Sequence, residues 1–200
     1  KTVFMSVLGI SWFWVVGATF LSQFPNFTKL VLGGDETVVT LFMAMFSIGI
    51  GLGSLWCNKL LGGKISARYV AVGGLAMTVF MVDLAIATWG STPAAGAMIN
   101  ASTFIAETTN WRILFDLLAI SMAAGIYTVP LYAILQHHSE RQHRSRTIAA
   151  NNILNALFMV LGSLVVTWML GNDWSIPQVF LVLAIANACV AGGMVRLRKL

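Results

Sequence analysis

The sequence predicts an all-α membrane protein with six transmembrane helices. Three observations carry that prediction. The 200 residues are 58% apolar and only 10% charged, with a mean hydropathy of +0.83, whereas a soluble domain carries about 25% charged residues. Six apolar stretches each reach the ~20 residues that cross a hydrocarbon core. The charged residues fall mostly between these stretches rather than within them. A soluble fold would lack polar side chains to cover its surface, and a chain this apolar is not disordered. The net charge of +5 points to no nucleic acid, because the positions of the charges matter more than their sum.

The first span is Val3–Phe24. Its apolar core outruns the 7–15 residues of a signal-peptide core and has no small-x-small cleavage site. Lys1 in place of an initiator methionine predicts that the chain is part of a longer polypeptide. The second span, Thr37–Cys57, contains Gly49, Gly51 and Gly53, which lack the spacing and the preceding strand of a nucleotide loop and read as helix packing. The third, Tyr69–Trp89, carries Asp83. A central Asp costs about 2.5–3.5 kcal/mol, and the Val, Leu, Ile and Phe residues of this span return roughly 2.4–4.8 kcal/mol, so it inserts. The fourth, Ile113–Gln136, contains Gly125 and Pro130, a candidate hinge because proline removes a helical hydrogen bond. Ile148–Leu170 and Pro177–Val195 complete the set.

With both termini and the second and fourth connections on one side, that side holds Lys1, Lys59, Lys64, Arg68, Arg141, Arg144, Arg146, Arg196, Arg198 and Lys199, against Lys29 and Arg112 opposite. The positive-inside rule then places both termini in the cytoplasm. The long outer connection, Gly90–Arg112, divides the spans into two triplets that start from opposite sides, the layout of an inverted three-plus-three repeat.

At 100° per residue, four helices carry a polar or small stripe. The first has Ser11, Trp12, Thr19, Ser22 and Gln23; the second Thr40, Ala44, Ser47, Gly51 and Ser54. The fourth has Ser121, Gly125, Thr128, Tyr132 and Gln136; the fifth Asn151, Asn152, Asn155, Gly162 and Ser163. Such stripes face an aqueous cavity or a partner bundle, or serve close helix packing. The third and sixth spans lack them and are expected at the periphery. Three amides near one end of the fifth span favour a cavity or gate there, since an unpaired amide in hydrocarbon is costly.

Asp83 is the candidate coupling or anchoring acid, within reach of water or Arg112. Arg112 and Asp116, four apart, are expected to pair with each other. The loop His137–Arg144 lacks zinc-site spacing and reads as a solvated cytoplasmic loop. Cys57 and Cys189 read as inert packing thiols. No nucleophile, base and orienter assemble, so no catalytic residue, metal or cofactor is expected and the segment is not read as an enzyme.

Ser11-Trp12-Phe13-Trp14, Gln23-Phe24-Pro25-Asn26, Ser47 to Ser54 (SIGIGLGS), Val129 to Gln136 (VPLYAILQ) and Ile148 to Ala156 (IAANNILNA) resemble segments of lysophospholipid transporters of the major facilitator superfamily. The resemblance is closest to bacterial forms fused to a phospholipid O-acyltransferase. It implies the C-terminal six helices of a twelve-helix transporter in the bacterial cytoplasmic (inner) membrane, working by rocking of two bundles about a midplane site. Membrane lipids, the N-terminal six-helix half and a fused acyltransferase are the implied partners. The family's loop signature survives only in eroded form over Gly53 to Lys64, with Asn58 where an acid belongs. Gln23, Tyr132, Gln136, Asn151, Asn152 and Asn155 are the expected contact or gate residues. A permease for a drug or small metabolite, or a membrane anchor for an acyltransferase, are the competing readings.

Overall fold

The computed structural model describes residues 2–93, 98–139 and 144–195. These form seven α-helices: α1 Thr2–Phe27, α2 Glu36–Leu61, α3 Val70–Ala87, α4 Ala101–Ala106, α5 Trp111–His137, α6 Arg144–Gly171 and α7 Ile176–Met194. All except the short α4 are long and apolar enough to cross a membrane, and each coincides with one predicted span. Among the described residues there is no strand, and a single isolated bridge joins Gly34 to Ile99. The protein is therefore an all-helical membrane protein.

The helix ends follow from local chemistry. Asp35 caps α2, its carboxylate accepting from the Thr37 backbone N–H (2.9 Å) and hydroxyl (2.6 Å). The Thr37 hydroxyl, foremost, holds this carboxyl below the usual aspartate range. Gly62 ends α2 in a left-handed conformation (φ +56°) that a side chain would strain. Ser175 and Gln178 form a reciprocal capping box at the start of α7. Asp35 N–H donates to the Ile99 carbonyl (2.9 Å) and Ile99 N–H to the Gly33 carbonyl (2.9 Å), docking the connection between α3 and α4 on the start of α2. Asn100 then caps α4, which drives Phe104 fully into the core against Phe42.

α5 is the centre of the bundle, with α1, α2 and α3 packed around it; α3 also packs on α7, and α1 on α6. The α2–α5 seam is close because it is built on glycine. A Cβ on Gly53 would overlap the Met122 carbonyl, and one on Gly125 would sit 2.6 Å from the Ile50 carbonyl oxygen. Gly125 is thus where α5 touches α2, and α5 runs unbroken through Pro130. The carbonyl that Pro130 leaves without a helical donor, Ile126, accepts instead from the Cys57 thiol at 3.6 Å. Phenylalanines fill the half of the core around the C-terminal part of α1, where Phe20 and Phe180 stack at 4.6 Å.

Two expectations change. The third and sixth spans, α3 and α7, expected at the periphery, pack extensively on each other, and α3 packs as extensively on α5. The least covered helices are α2 and α6. The stripe on α5 is likewise divided. Ser121 and Gly125 are consumed by the α2 contact, while Tyr132 is half-buried and Gln136 exposed. Small side chains permit backbone approach as readily as they line a cavity, and α5, at the centre, uses them for approach.

Candidate functional site

One uncharged polar cluster joins α1, α5 and α6. Asn155, buried in α6, lies 2.9 Å from Ser11 Oγ on α1. With its amide nitrogen donating to Ser11 Oγ and to the Asn151 carbonyl (3.1 Å), its oxygen accepts from Trp14 Nε1 (3.2 Å) and Asn151 Nδ2 (3.0 Å), so both ends of the amide are satisfied. Trp14 Nε1 is shared with the Tyr132 hydroxyl of α5 at 3.0 Å. Asn151 is 1% exposed, yet its Oδ1 has no hydrogen-bond partner. The cluster is closed towards the core by Ser11 and open at its edge, where Trp14 is 40% exposed and Tyr132 half-buried. Such an arrangement can exchange hydrogen bonds with a neutral or zwitterionic polar group at Trp14 and Tyr132, and the unpartnered acceptor of Asn151 lies buried behind them.

Of the residues expected at a site, the structure brings together Tyr132, Asn151 and Asn155. Gln136 lies one turn beyond Tyr132, on the exposed side. Asn152 is exposed on another face of α6. Gln23 is buried but twelve residues along α1 from Ser11, roughly 18 Å at 1.5 Å per residue, and its amide meets only Ser22 (3.4 Å) and Asn26 (3.5 Å) of its own helix. Within the His137–Arg144 loop, Glu140, Arg141, Gln142 and His143 lie outside the described residues, as do Lys1 and the basic residues after Val195. Among the described residues no three of His, Cys, Asp and Glu come together.

A second polar group stands where the C-terminal end of α3 meets the start of α5. Arg112 donates to both carboxylate oxygens of Asp83, Nε to Oδ2 at 2.9 Å and a terminal nitrogen to Oδ1 at 2.5 Å. The expected local pair of Arg112 with Asp116 is not formed. Asp116 is 1% exposed and neither of its oxygens has a hydrogen-bond donor. Pairing there would draw the half-exposed guanidinium (52%) out of water, whereas Asp83 meets it at the rim. Asp83 is thus an anchor between α3 and α5, and the acid that lies inside the protein is Asp116. Its position one turn after an arginine hid that in the sequence.

Asn187 is a further residue that the sequence understated. It accepts from Trp12 Nε1 (2.9 Å) and donates to the Gly74 carbonyl (2.7 Å) and Thr78 hydroxyl (2.9 Å), tying α7 to α1 and α3. The signal was present, because a lone amide in an apolar span must find a partner. Comparison with protein-family models, with curated proteins and with solved structures finds no match for this chain.

Proposed function

We propose that the protein is half of a lysophospholipid transporter that works by alternating access in the bacterial cytoplasmic membrane, with both ends of this segment cytoplasmic and lipid re-acylation as its context. The observation that carries the proposal is the Ser11–Trp14–Tyr132–Asn151–Asn155 cluster, with its open edge and the free acceptor on Asn151. An amphipathic substrate needs a polar contact set in an otherwise apolar bundle, and an uncharged one suits a headgroup that must also be released.

Two further features support the reading. α2 exposes Thr40, Ala44, Ser47 and Gly51, small residues suited to close approach by another helix. α6 exposes Ile153, Leu157 and Leu164. A second six-helix half would cover both faces. The packing also follows an exchange of the triplets α1–α3 and α5–α7. α2 packs on α5 as α6 packs on α1, the α1–α5 and α3–α7 contacts are their own images, and α3–α5 has a smaller counterpart in α1–α7. An inverted repeat has this property.

The test is transport of labelled lysophosphatidylethanolamine by the reconstituted full-length protein. Asn155→Leu and Tyr132→Phe are expected to slow it about tenfold per folded molecule, a loss of ~1.4 kcal/mol of transition-state stabilisation. Normal transport by well-folded variants would remove the cluster from the site. Met98→Cys in a Cys189→Ser background tests orientation: modification from the periplasm is expected, and protection there reverses the topology. A second reading, an ion-coupled permease for a small metabolite, is favoured by Asp116, a buried acid without a donor. Solute uptake that collapses with the ion gradient would support it.

A further inference from the structure

We infer that the cleft between α6 and α7 is a binding site for the single acyl chain of a lysolipid, with the polar end of that lipid at Asn151. This deepens the transport reading and rests on it. The cleft has a volume of about 290 Å³ and is floored by Trp12, Val15 and Thr19 of α1. Phe158 and Val165 form part of one wall, Val182 and Ala186 part of the other. It exists because α6 and α7 barely touch along their length; a hydrophobic junction of Val166 and Met169 with Val179 closes it near the α6–α7 turn.

The walls are dry. The floor's polar atoms are already spoken for, Trp12 Nε1 by Asn187 and the Thr19 hydroxyl by the Val15 carbonyl. Nothing polar remains to hold water, so an apolar occupant is favoured. Its dimensions select the occupant. From Phe158 to Met169 the wall rises about 16 Å, close to the ~15 Å that one acyl chain spans in half of a hydrocarbon core. The volume suits one chain rather than two.

Polarity selects the same occupant from the other end. α6 carries Asn155 one helical turn before Phe158 and Asn151 two turns before it, the latter buried with an unpartnered Oδ1. A free acceptor calls for a donor, and a lysolipid differs from a diacyl lipid in carrying a free glycerol hydroxyl; an ethanolamine headgroup adds an ammonium. The free acceptor lies on α6 beyond the Phe158 end of the apolar cleft, so the two follow one another along one helix in the order of a single-chain lipid.

The experiment uses the reconstituted full-length protein, with Ala186→Phe and Val182→Trp as plugs from the α7 wall. A plug that expels two methylenes weakens binding about tenfold. Long-chain lysophosphatidylethanolamine is expected to lose about that much transport and short-chain analogues less than twofold, and both variants should melt as the wild type does. A lysolipid with a photoreactive chain terminus is expected to label the α6 and α7 walls of the wild-type protein, and a diacyl probe is not. Equal loss at every chain length, no loss, labelling elsewhere or equal labelling by the diacyl probe overturns the cleft assignment. Labelling of the cleft by a protein that moves no lysolipid keeps the cleft and removes the transport reading. A melting temperature lowered in both variants leaves the labelling pattern to decide.

Discussion

The Cys57 thiol lies 3.6 Å from the Ile126 carbonyl oxygen, the acceptor that Pro130 deprives of its helical donor. A cysteine on α2 thereby completes the hydrogen bonding of α5, which explains why the proline does not break that helix. Cys57→Ala should cost about 1 kcal/mol, and Cys57→Ser should not. In a Pro130→Ala background the backbone N–H returns, and Cys57→Ala should lose most of its effect. A double-mutant cycle on thermal unfolding in detergent measures this; full additivity would show that the two sites are independent.

The glycine seam between α2 and α5 makes a sharper contrast. Gly53→Ala places a methyl on the Met122 carbonyl, while nothing lies within 4 Å of a Cβ on Gly51. The first should destabilise by about 1–3 kcal/mol and the second by less than about 0.5 kcal/mol. Similar melting temperatures for the two variants would argue against this helix register.

Two asparagines should separate structure from function. Asn187 bridges three helices and has each side-chain end engaged. Asn187→Leu should cost about 1–3 kcal/mol of stability and reduce transport only through loss of folded protein. Asn155 is likewise satisfied at both ends, so Asn155→Leu should cost a similar amount of stability and should in addition slow transport per folded molecule. The comparison is made by normalising initial rates to the folded fraction.

Arg112 and Asp83 join the start of α5 to the C-terminal end of α3. Asp83→Asn and Arg112→Gln should each lower the melting temperature, and the exchange Asp83→Arg with Arg112→Asp should recover most of the loss. Asp116→Leu removes a buried carboxyl that has no donor and should leave stability unchanged or raise it. If Asp116→Leu also lowers transport of any substrate, that carboxyl is held for function and not for folding.

At the exposed start of α2, the depressed Asp35 carboxyl gives a pH dependence of defined sign. The unfolded chain titrates near 3.9 and the folded cap below it. Its contribution is therefore complete above pH ~5 and is lost as pH falls through the folded value. Asp35→Asn retains a capping residue without the charge. The gap in melting temperature between wild type and Asp35→Asn should be constant from about pH 5 to 8 and shrink below about pH 4. A gap that does not narrow in acid assigns the stabilisation elsewhere.

The spans, their number and the exclusion of a soluble fold were determined by the sequence alone, because hydropathy sums over some twenty residues and one misplaced side chain cannot alter it. The α6 amides could also be recognised there, since Asn151 and Asn155 are too polar for hydrocarbon without partners. Only the tertiary structure decided which partner each group takes. Arg112 has one acid four residues away and another on a different helix, and solvent at the rim selects the distant one. Gly125 and Pro130 look alike as helix breakers, yet one is a contact with α2 and the other is rescued by Cys57. A stripe of small residues says that something approaches closely; whether it is a neighbouring helix, as for α5, or an uncovered face, as for α2, depends on how six helices share one core.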